Sequence, residues 1–477
     1  MSTTKQQQSV NWYFFLGTIV VCRLLAHHVF PLLDDAYITF RYARNLASGL
    51  GFVYNAGEWV QGITCPGFGV MLAEFNWLGI DLPTFVPLLN VAIDLLIFYL
   101  AVTYVLNSFD SANVAIFGFL FAVSPACNYI CVGGMEVNLF LVVSLLSIIL
   151  FTSGRPVWGI LLASLSIFLR PEGVLLIALL FIRILYSRQY RLLLIATIWT
   201  AVTAAVYILV SYRFYGTILP QSIVAKSGLV GSSFFHVFQR LIFPDYFGIV
   251  LLPLAIIGAI SLWRRNRSAA IVIEWSALYA LAYLIARPMI ASWYTLPIQF
   301  SLLLFGSNGF VILVQKSVKL WKWIVVIPVW VFGLLAILVW GGVATIHGEQ
   351  SSKKNVFRPL AQFCSREDMF GKTIATYDIG VLGYYSNAII YDMTGLVWLP
   401  AKTTPDFQSV VGKFSPDYLM VSAKKSEMEE MQPERLGKLY EPMKRFSIFG
   451  ETNLTPDYRT LPDEYYLDYI IFKKKEK

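Results

Sequence analysis

Two adjacent carboxylates, Asp34 and Asp35, stand directly behind an apolar run, Trp12–Phe30, and two arginines, Arg41 and Arg44, follow them on the same segment. A carboxylate pair supplies one general base and a second group that orients a hydroxyl or holds a cation. The arginines are three positions apart, so a helix presents both on one side, as binding of a lipid phosphate would require. On these residues alone the plainer readings stay open: Asp34 caps a helix, Asp35 meets its dipole, and interfacial arginines hold headgroups. Charge ordered along a short amphipathic helix at the mouth of a span points to a site at a membrane surface.

The elements that must position these groups follow from local pattern. A helix from about Asp35 to Ser48 is expected, stopping at Gly49-Leu50-Gly51, with Ala36, Ile38, Phe40, Ala43, Leu46 and Ala47 on its interfacial face. Asp34 is expected to cap this helix, which would keep its carboxyl ionised at neutral pH. Asn55-Ala56-Gly57 reads as a turn, and Thr64 with Pro66 as the start of another helix. That helix, Pro66 to Ile80, is too short and too near the next span to cross, so it belongs to a large first outer loop, 31–82, as a partly embedded segment.

Composition sets the class. With 57% hydrophobic and 14% charged residues among 477, the chain is a polytopic α-helical membrane protein. Eleven spans are expected, near 12–30, 83–106, 111–124, 136–152, 157–170, 173–187, 192–212, 246–263, 270–287, 292–313 and 321–343. The first run is too long for a secretory h-region and lacks a small-x-small cleavage site, so it reads as a retained helix. With the N-terminus inside, the basic turns Arg183/Arg188/Arg191, Arg264/Arg265/Arg267 and Lys316/Lys319/Lys322 all fall on the cytoplasmic face.

The odd count then puts a C-terminal soluble domain, 344–477, outside the transmembrane domain 1–343. Strand-like runs 373–377, 388–392 and 417–422 with a helix-like Ile379–Ser386 give that domain an α/β character. From Ala344 onward 18 Lys plus Arg face 18 Asp plus Glu, so the net charge of +8 belongs to the membrane part. It orients helices and argues against a nucleic-acid partner. Five scattered cysteines make no metal pattern, and Cys127 with Cys131 read as buried thiols rather than a disulfide.

The same parity gathers the remaining polar clusters on the outer face. They are Glu136, Arg170-Pro171-Glu172, the loop 213–240 with Lys226, Arg287, and Trp293-Tyr294. Glu136 and Glu172 also sit at predicted helix N-termini, where the dipole alone would favour a carboxylate. Lys226 and Arg287 are cations suited to a phosphate. Inside the membrane, Arg23 and Asp94 lie at similar depth and are expected to pair, while Glu274 lies near mid-depth. The soluble-domain tyrosines Tyr384, Tyr385, Tyr458, Tyr465 and Tyr466 would stack on sugars or, more plainly, fill the core.

The run Asp34-Asp35-Ala36-Tyr37-Ile38-Thr39-Phe40-Arg41-Tyr42-Ala43-Arg44-Asn45-Leu46, with Gly51-Phe52-Val53-Tyr54-Asn55-x-Gly57-Glu58 and Gly62-x-Thr64-x-Pro66, resembles the first outer loop of bacterial GT-C glycosyltransferases. It is similar to the group that contains the mycobacterial terminal β-1,2-arabinofuranosyltransferase. Gly134-Met135-Glu136, Arg170-Pro171-Glu172-Gly173, Tyr215-Gly216-x5-Ser222-x3-Lys226 and Trp293-Tyr294 resemble later outer-side motifs, and Asp378-Ile379-Gly380-x2-Gly383-Tyr384-Tyr385-Ser386 extends the likeness into the soluble domain.

The resemblance implies a polyprenyl-phosphate sugar donor, a polysaccharide or glycolipid acceptor at the cell surface, and an acidic first-loop residue as base. It places the enzyme in the bacterial cytoplasmic membrane. Asp34 and Asp35 would then be catalytic; Arg41, Arg44, Lys226 and Arg287 would bind the donor phosphate; Glu136, Arg170, Glu172, Trp293 and Tyr294 would contact substrate. No cofactor is required, although the two carboxylates would accept a divalent cation. Two other classes are weighed against it: a transporter of a lipid-linked sugar, and a noncatalytic glycan-assembly factor.

Overall fold

The computed structural model describes residues 12–30, 32–106, 111–227, 233–243, 247–316, 356–367, 369–404, 406–422, 436–447, 450–452 and 469–475. In chain order the helices are α1 (Trp12–Val29), α2 (Asp34–Ala47), α3 (Pro66–Trp77), α4 (Leu82–Leu100, continued by a π-turn to Leu106), α5 (Ser111–Val123), α6 (Pro125–Val132), α7 (Val137–Thr152), α8 (Pro156–Leu165), α9 (Gly173–Tyr186), α10 (Tyr190–Tyr215), α11 (Gln221–Ser227), α12 (Phe234–Ile242), α13 (Phe247–Trp263), α14 (Arg267–Ala286), α15 (Leu296–Lys316), α16 (Arg358–Arg366), α17 (Gly380–Ser386) and α18 (Phe407–Phe414). Proline stands in the first turn of α3, α6, α8 and α16, where a missing N–H leaves no helical bond unmade.

The chain divides into two compact units. The first comprises Met1–Val29, Val86–Ile208 and Leu229–Gly341; the second comprises Phe30–Phe85, Leu209–Gly228 and Gly342–Lys477.

The first unit is helical. A helix or helix pair matches each of the first ten expected spans, while the eleventh, 321–343, lies outside the described residues. By length and apolarity, Leu82–Leu106, Tyr190–Tyr215, Arg267–Ala286 and Ser292–Val314 can cross a bilayer. The α5–α6 pair adds a fifth crossing if its 58° bend is one broken span. Helices α13 and α15 meet at backbone distance through glycine: a Cβ on Gly258 would lie 1.9 Å from the Phe305 carbonyl oxygen, and one on Gly309 1.9 Å from that of Leu254.

Arg23 and Asp94 pair as expected, at 2.7 Å and with both side chains buried. The Arg23 guanidinium also donates to the carbonyls of Ala122 and Phe121, and Asn138 donates to the second Asp94 oxygen at 2.7 Å. One ion pair thus ties α1, α4, α5 and α7. Removing either partner leaves an uncompensated buried charge, so Arg23→Ala or Asp94→Ala should each cost about 3–5 kcal/mol. The Arg23→Leu/Asp94→Leu pair should recover most of that in thermal unfolding of the detergent-purified protein. Glu274 is not an isolated mid-span charge: Arg183 of α9 donates to it through both Nε, at 2.9 Å, and Nη2. All five cysteines are free thiols, Cys127 and Cys131 buried among them.

The second unit combines the first loop with a six-stranded sheet of order β2-β1-β3-β6-β4-β5, where β1 is Thr373–Thr376, β2 Ile389–Asp392, β3 Tyr418–Ser422, β4 Tyr440–Ser447, β5 Gly450–Thr452 and β6 Tyr469–Lys474. β1 runs parallel to both β2 and β3, with Thr373 opposite Ile389 and Ile374 opposite Tyr418; β6 is antiparallel to β3 and β4. Short strands, of which β3 is buried throughout, pack Ala375, Leu419, Val421, Ile470 and Phe472 against Trp398, Phe407, Val410 and Tyr440. The three expected strands and the helix between the first two fall within a residue or two of these bounds. Because β2 and β3 flank β1, the carboxyl end of β1 is a topological switch point, and α17 starts there.

Candidate active site

Helix α2 begins one residue earlier than expected, and its cap is Leu33, which is extended and accepts no bond through its side chain. Asp34 therefore does not cap its own helix. Its two carboxylate oxygens accept the N–H of Gly380 at 2.9 Å and of Val381 at 2.8 Å, the first amides of α17. The expectation of a lowered pKa is corrected with it. Burial pushes the half-buried carboxyl up to about 7, with Asp378 and then Asp35 adding like charge, and the two amides only partly offset the rise. Sequence reasoning paired Asp34 with Asp35; the neighbour acting more strongly is Asp378, at the end of β1, whose carboxylate accepts the Tyr469 hydroxyl at 2.6 Å. The Asp378-Ile379-Gly380 motif was visible, but nothing in one sequence ties it to position 34.

Arg41 is also corrected as an anion ligand. It is 4% exposed. Its guanidinium donates to the carbonyls of Tyr54 at 2.7 Å, Gly383 at 2.6 Å and Ala388 at 2.7 Å and to Asn55 Oδ1 at 3.2 Å, with the Tyr54 ring stacked at 4.2 Å. Arg44 donates to the Tyr384 carbonyl at 2.5 Å and lies over the Tyr384 ring. Thus α2 lies alongside α17 in the same direction, carboxylate on the amide end and arginines near the carbonyl end, each charge matched to the dipole of the shorter helix.

Close approach makes two glycines necessary. A Cβ at Gly380 would stand 1.9 Å from the Asp34 carbonyl oxygen, and one at Gly383 would stand 1.8 Å from the Tyr54 hydroxyl. Tyr384 is buried against Tyr37 and Phe40, which favours the core role; Tyr458, Tyr465 and Tyr466 lie outside the described residues.

In the first unit the structure gathers four of the five expected substrate contacts into one network. Arg170 donates to Glu136 at 2.6 Å and to Glu172 at 2.7 and 3.2 Å, and its guanidinium covers the Tyr294 ring at 4.7 Å. Tyr283, which sequence reasoning missed, donates to Glu172. Trp293 packs edge-on against Tyr294, with ring centroids 5.6 Å apart. Glu136 and Glu172 do occupy helix N-termini, but their side chains go to Arg170 and cap nothing. One arginine between two carboxylates leaves one negative charge and an aromatic wall, a setting able to orient polar hydroxyls.

Two cations remain. Arg287 is exposed at the C-cap of α14 with φ of 46°, a left-handed conformation unusual for a side chain of its size. Lys226 belongs to α11, and its side chain lies outside the described residues.

The fold of the whole chain is shared with three solved structures. The chain resembles ArnT from Cupriavidus metallidurans with TM-score 0.63 at 12% identity, over 96% of this chain and 97% of that one. It also resembles the oligosaccharyltransferase AglB from Archaeoglobus fulgidus, solved with an inhibitory peptide and a dolichol-phosphate. There the TM-score is 0.56 at 10% identity, over 94% of this chain and 75% of that one. An oligosaccharyltransferase from the same organism, tethered to an acceptor peptide containing the NVT sequon, gives TM-score 0.55 at 10% identity over the same shares. A family described as a domain of unknown function, DUF8728, matches residues 344–467. No curated protein matches the chain in sequence.

Proposed function

We propose that this chain is an inverting glycosyltransferase of the bacterial cytoplasmic membrane. It moves a pentosyl or hexosyl group, arabinose being one sugar among several, from polyprenyl phosphate to a hydroxyl of a cell-surface polysaccharide or glycolipid, on the extracytoplasmic side. The observation that carries the reading is Asp34: a carboxylate fixed by two amides, with a proton affinity close to neutrality, on a GT-C scaffold. The similar AglB structure holds a dolichol-phosphate, a lipid phosphate of the proposed donor class.

In the step, the acceptor oxygen forms the bond to the anomeric carbon as the bond from that carbon to the phosphate oxygen breaks. The hydroxyl proton passes to Asp34, and the electron pair leaves with the polyprenyl phosphate. Burial, with Asp378 and then Asp35, keeps Asp34 basic enough to take the proton. Arg44 and Lys226, which belong to the same unit as Asp34, are the cations for the phosphate, Arg41 being saturated by carbonyls. A divalent cation would supply further charge for the leaving group; among the described residues no three His, Cys, Asp or Glu side chains converge to hold one.

Transport would need charges free along a path, yet Arg23, Asp94 and Glu274 are each ion-paired. Cells expressing Asp34→Asn at the normal level should lose one sugar from the surface glycan and accumulate its lipid-phosphate form. An unchanged glycan and lipid pool would favour the noncatalytic assembly role.

A further inference from the structure

The second unit carries a cavity outside the setting of Asp34. Helix α16 is amphipathic: Leu360, Ala361, Phe363 and Cys364 are buried, and Phe363 packs on Phe446 of β4. Its other side presents Arg358, Gln362, Ser365 and Arg366, which fall on one stripe of a helix. Together with Tyr385 of α17 these residues line a cavity of about 370 Å³, the size of a small-ligand site. No acidic side chain lines it. Among the described residues neither Arg358 nor Arg366 takes part in an ion pair.

A solvated helix face would account for the arginines but not for the open concavity, which an aromatic side chain from a second helix borders. Tyr385 also connects the cavity to Asp34. It is five residues along α17 from Gly380, roughly 8 Å at 1.5 Å per residue. Its ring lies 5.8 Å from that of Tyr37, one turn beyond Asp34 on α2.

We propose that this cavity is an acceptor subsite for an acidic saccharide. Arg358 and Arg366 pair with a carboxylate or phosphate group on the glycan, Tyr385 lies against a sugar ring, and a hydroxyl farther along the same chain reaches Asp34. The use of that hydroxyl rests on the transferase reading; the binding does not.

The test is a binding titration of the full chain in zwitterionic nanodiscs, with an oligogalacturonate as the acidic probe and a galactan oligomer of equal length as the neutral one. The acidic oligomer should bind, and Arg358→Gln/Arg366→Gln should weaken it by about tenfold or more. Both residues are exposed, so the variant should unfold at the wild-type temperature. The neutral oligomer should bind at least tenfold more weakly, and Asp34→Asn should bind the acidic one as wild type does. Equal binding of the two oligomers, or an unchanged double variant, would overturn the subsite. Displacement of the oligogalacturonate by phosphatidylglycerol vesicles would overturn it in favour of a headgroup site. An unaltered surface glycan in Asp34→Asn cells, with arginine-dependent binding intact, would remove the transferase reading and leave the subsite standing.

Discussion

In the proposed transfer Asp34→Asn will lower kcat by about 10²- to 10⁴-fold while donor affinity changes little, because the substitution removes the proposed proton acceptor and leaves the size of the side chain unchanged. The wild-type rate should rise with pH to a plateau through a limb near 7, the value at which burial and Asp378 hold the carboxyl. Stability should move the other way over the same window. Folding raises this pKa above its ordinary carboxylate value, so the folded chain binds the proton more tightly than the unfolded one. The stabilisation is complete below about pH 4, is lost as pH rises to about 7, and is flat beyond. Thermal unfolding from acidic to neutral pH should therefore show a falling contribution in the wild type that is missing in Asp34→Asn. A rate profile without the limb near 7 would show that another group takes the proton.

Gly380→Ala should destabilise the second unit by about 3 kcal/mol or more, since its Cβ would meet backbone rather than a movable side chain. The Asp34 carbonyl, carboxyl carbon and amide bonds would all shift together, so activity should fall with stability. Gly412→Ala, in α18 with nothing within 4 Å of the new Cβ, is the matched control. Replacing an exposed helical glycine should be neutral or stabilise by up to about 1 kcal/mol. Hydrogen exchange at the amides of Gly380 and Val381 would separate the two outcomes: those amides should lose protection only in the first variant.

The features that were readable from sequence are the ones encoded by nearby residues. Apolar runs marked helices through α15, Gly49 and Gly51 marked the end of α2, and depth alone paired Arg23 with Asp94. What failed had its determinants far away. Asp34 was assigned to the nearest helix terminus, when the terminus it serves is 346 residues downstream. Arg41 looked like an anion ligand because its acceptors, the carbonyls of Tyr54, Gly383 and Ala388, are backbone groups that carry no sequence signal. One clue was present: Gly380 and Gly383 put two small residues on one side of a short helix, the mark of a backbone approaching closely. Likewise Glu136 and Glu172 each looked like a dipole partner until Arg170 was seen to bridge them.

The place of Asp34 at the start of α17 also sets an order of events during biosynthesis. In open α/β sheets that crevice receives a phosphate from outside; here the chain fills it with a carboxylate made hundreds of residues earlier. The neighbour that tunes this carboxylate, Asp378, is in turn held by Tyr469, on the strand that threads between β3 and β4. Gly380 and Val381 are made long after the first loop and Tyr469 later still, so the setting of Asp34 is complete only once β6 has been synthesised. Until then the first-loop carboxylate lacks the amides and the aspartate–tyrosine pair around it, and proteolysis that frees the sheet would return Asp34 to the setting of an ordinary carboxyl.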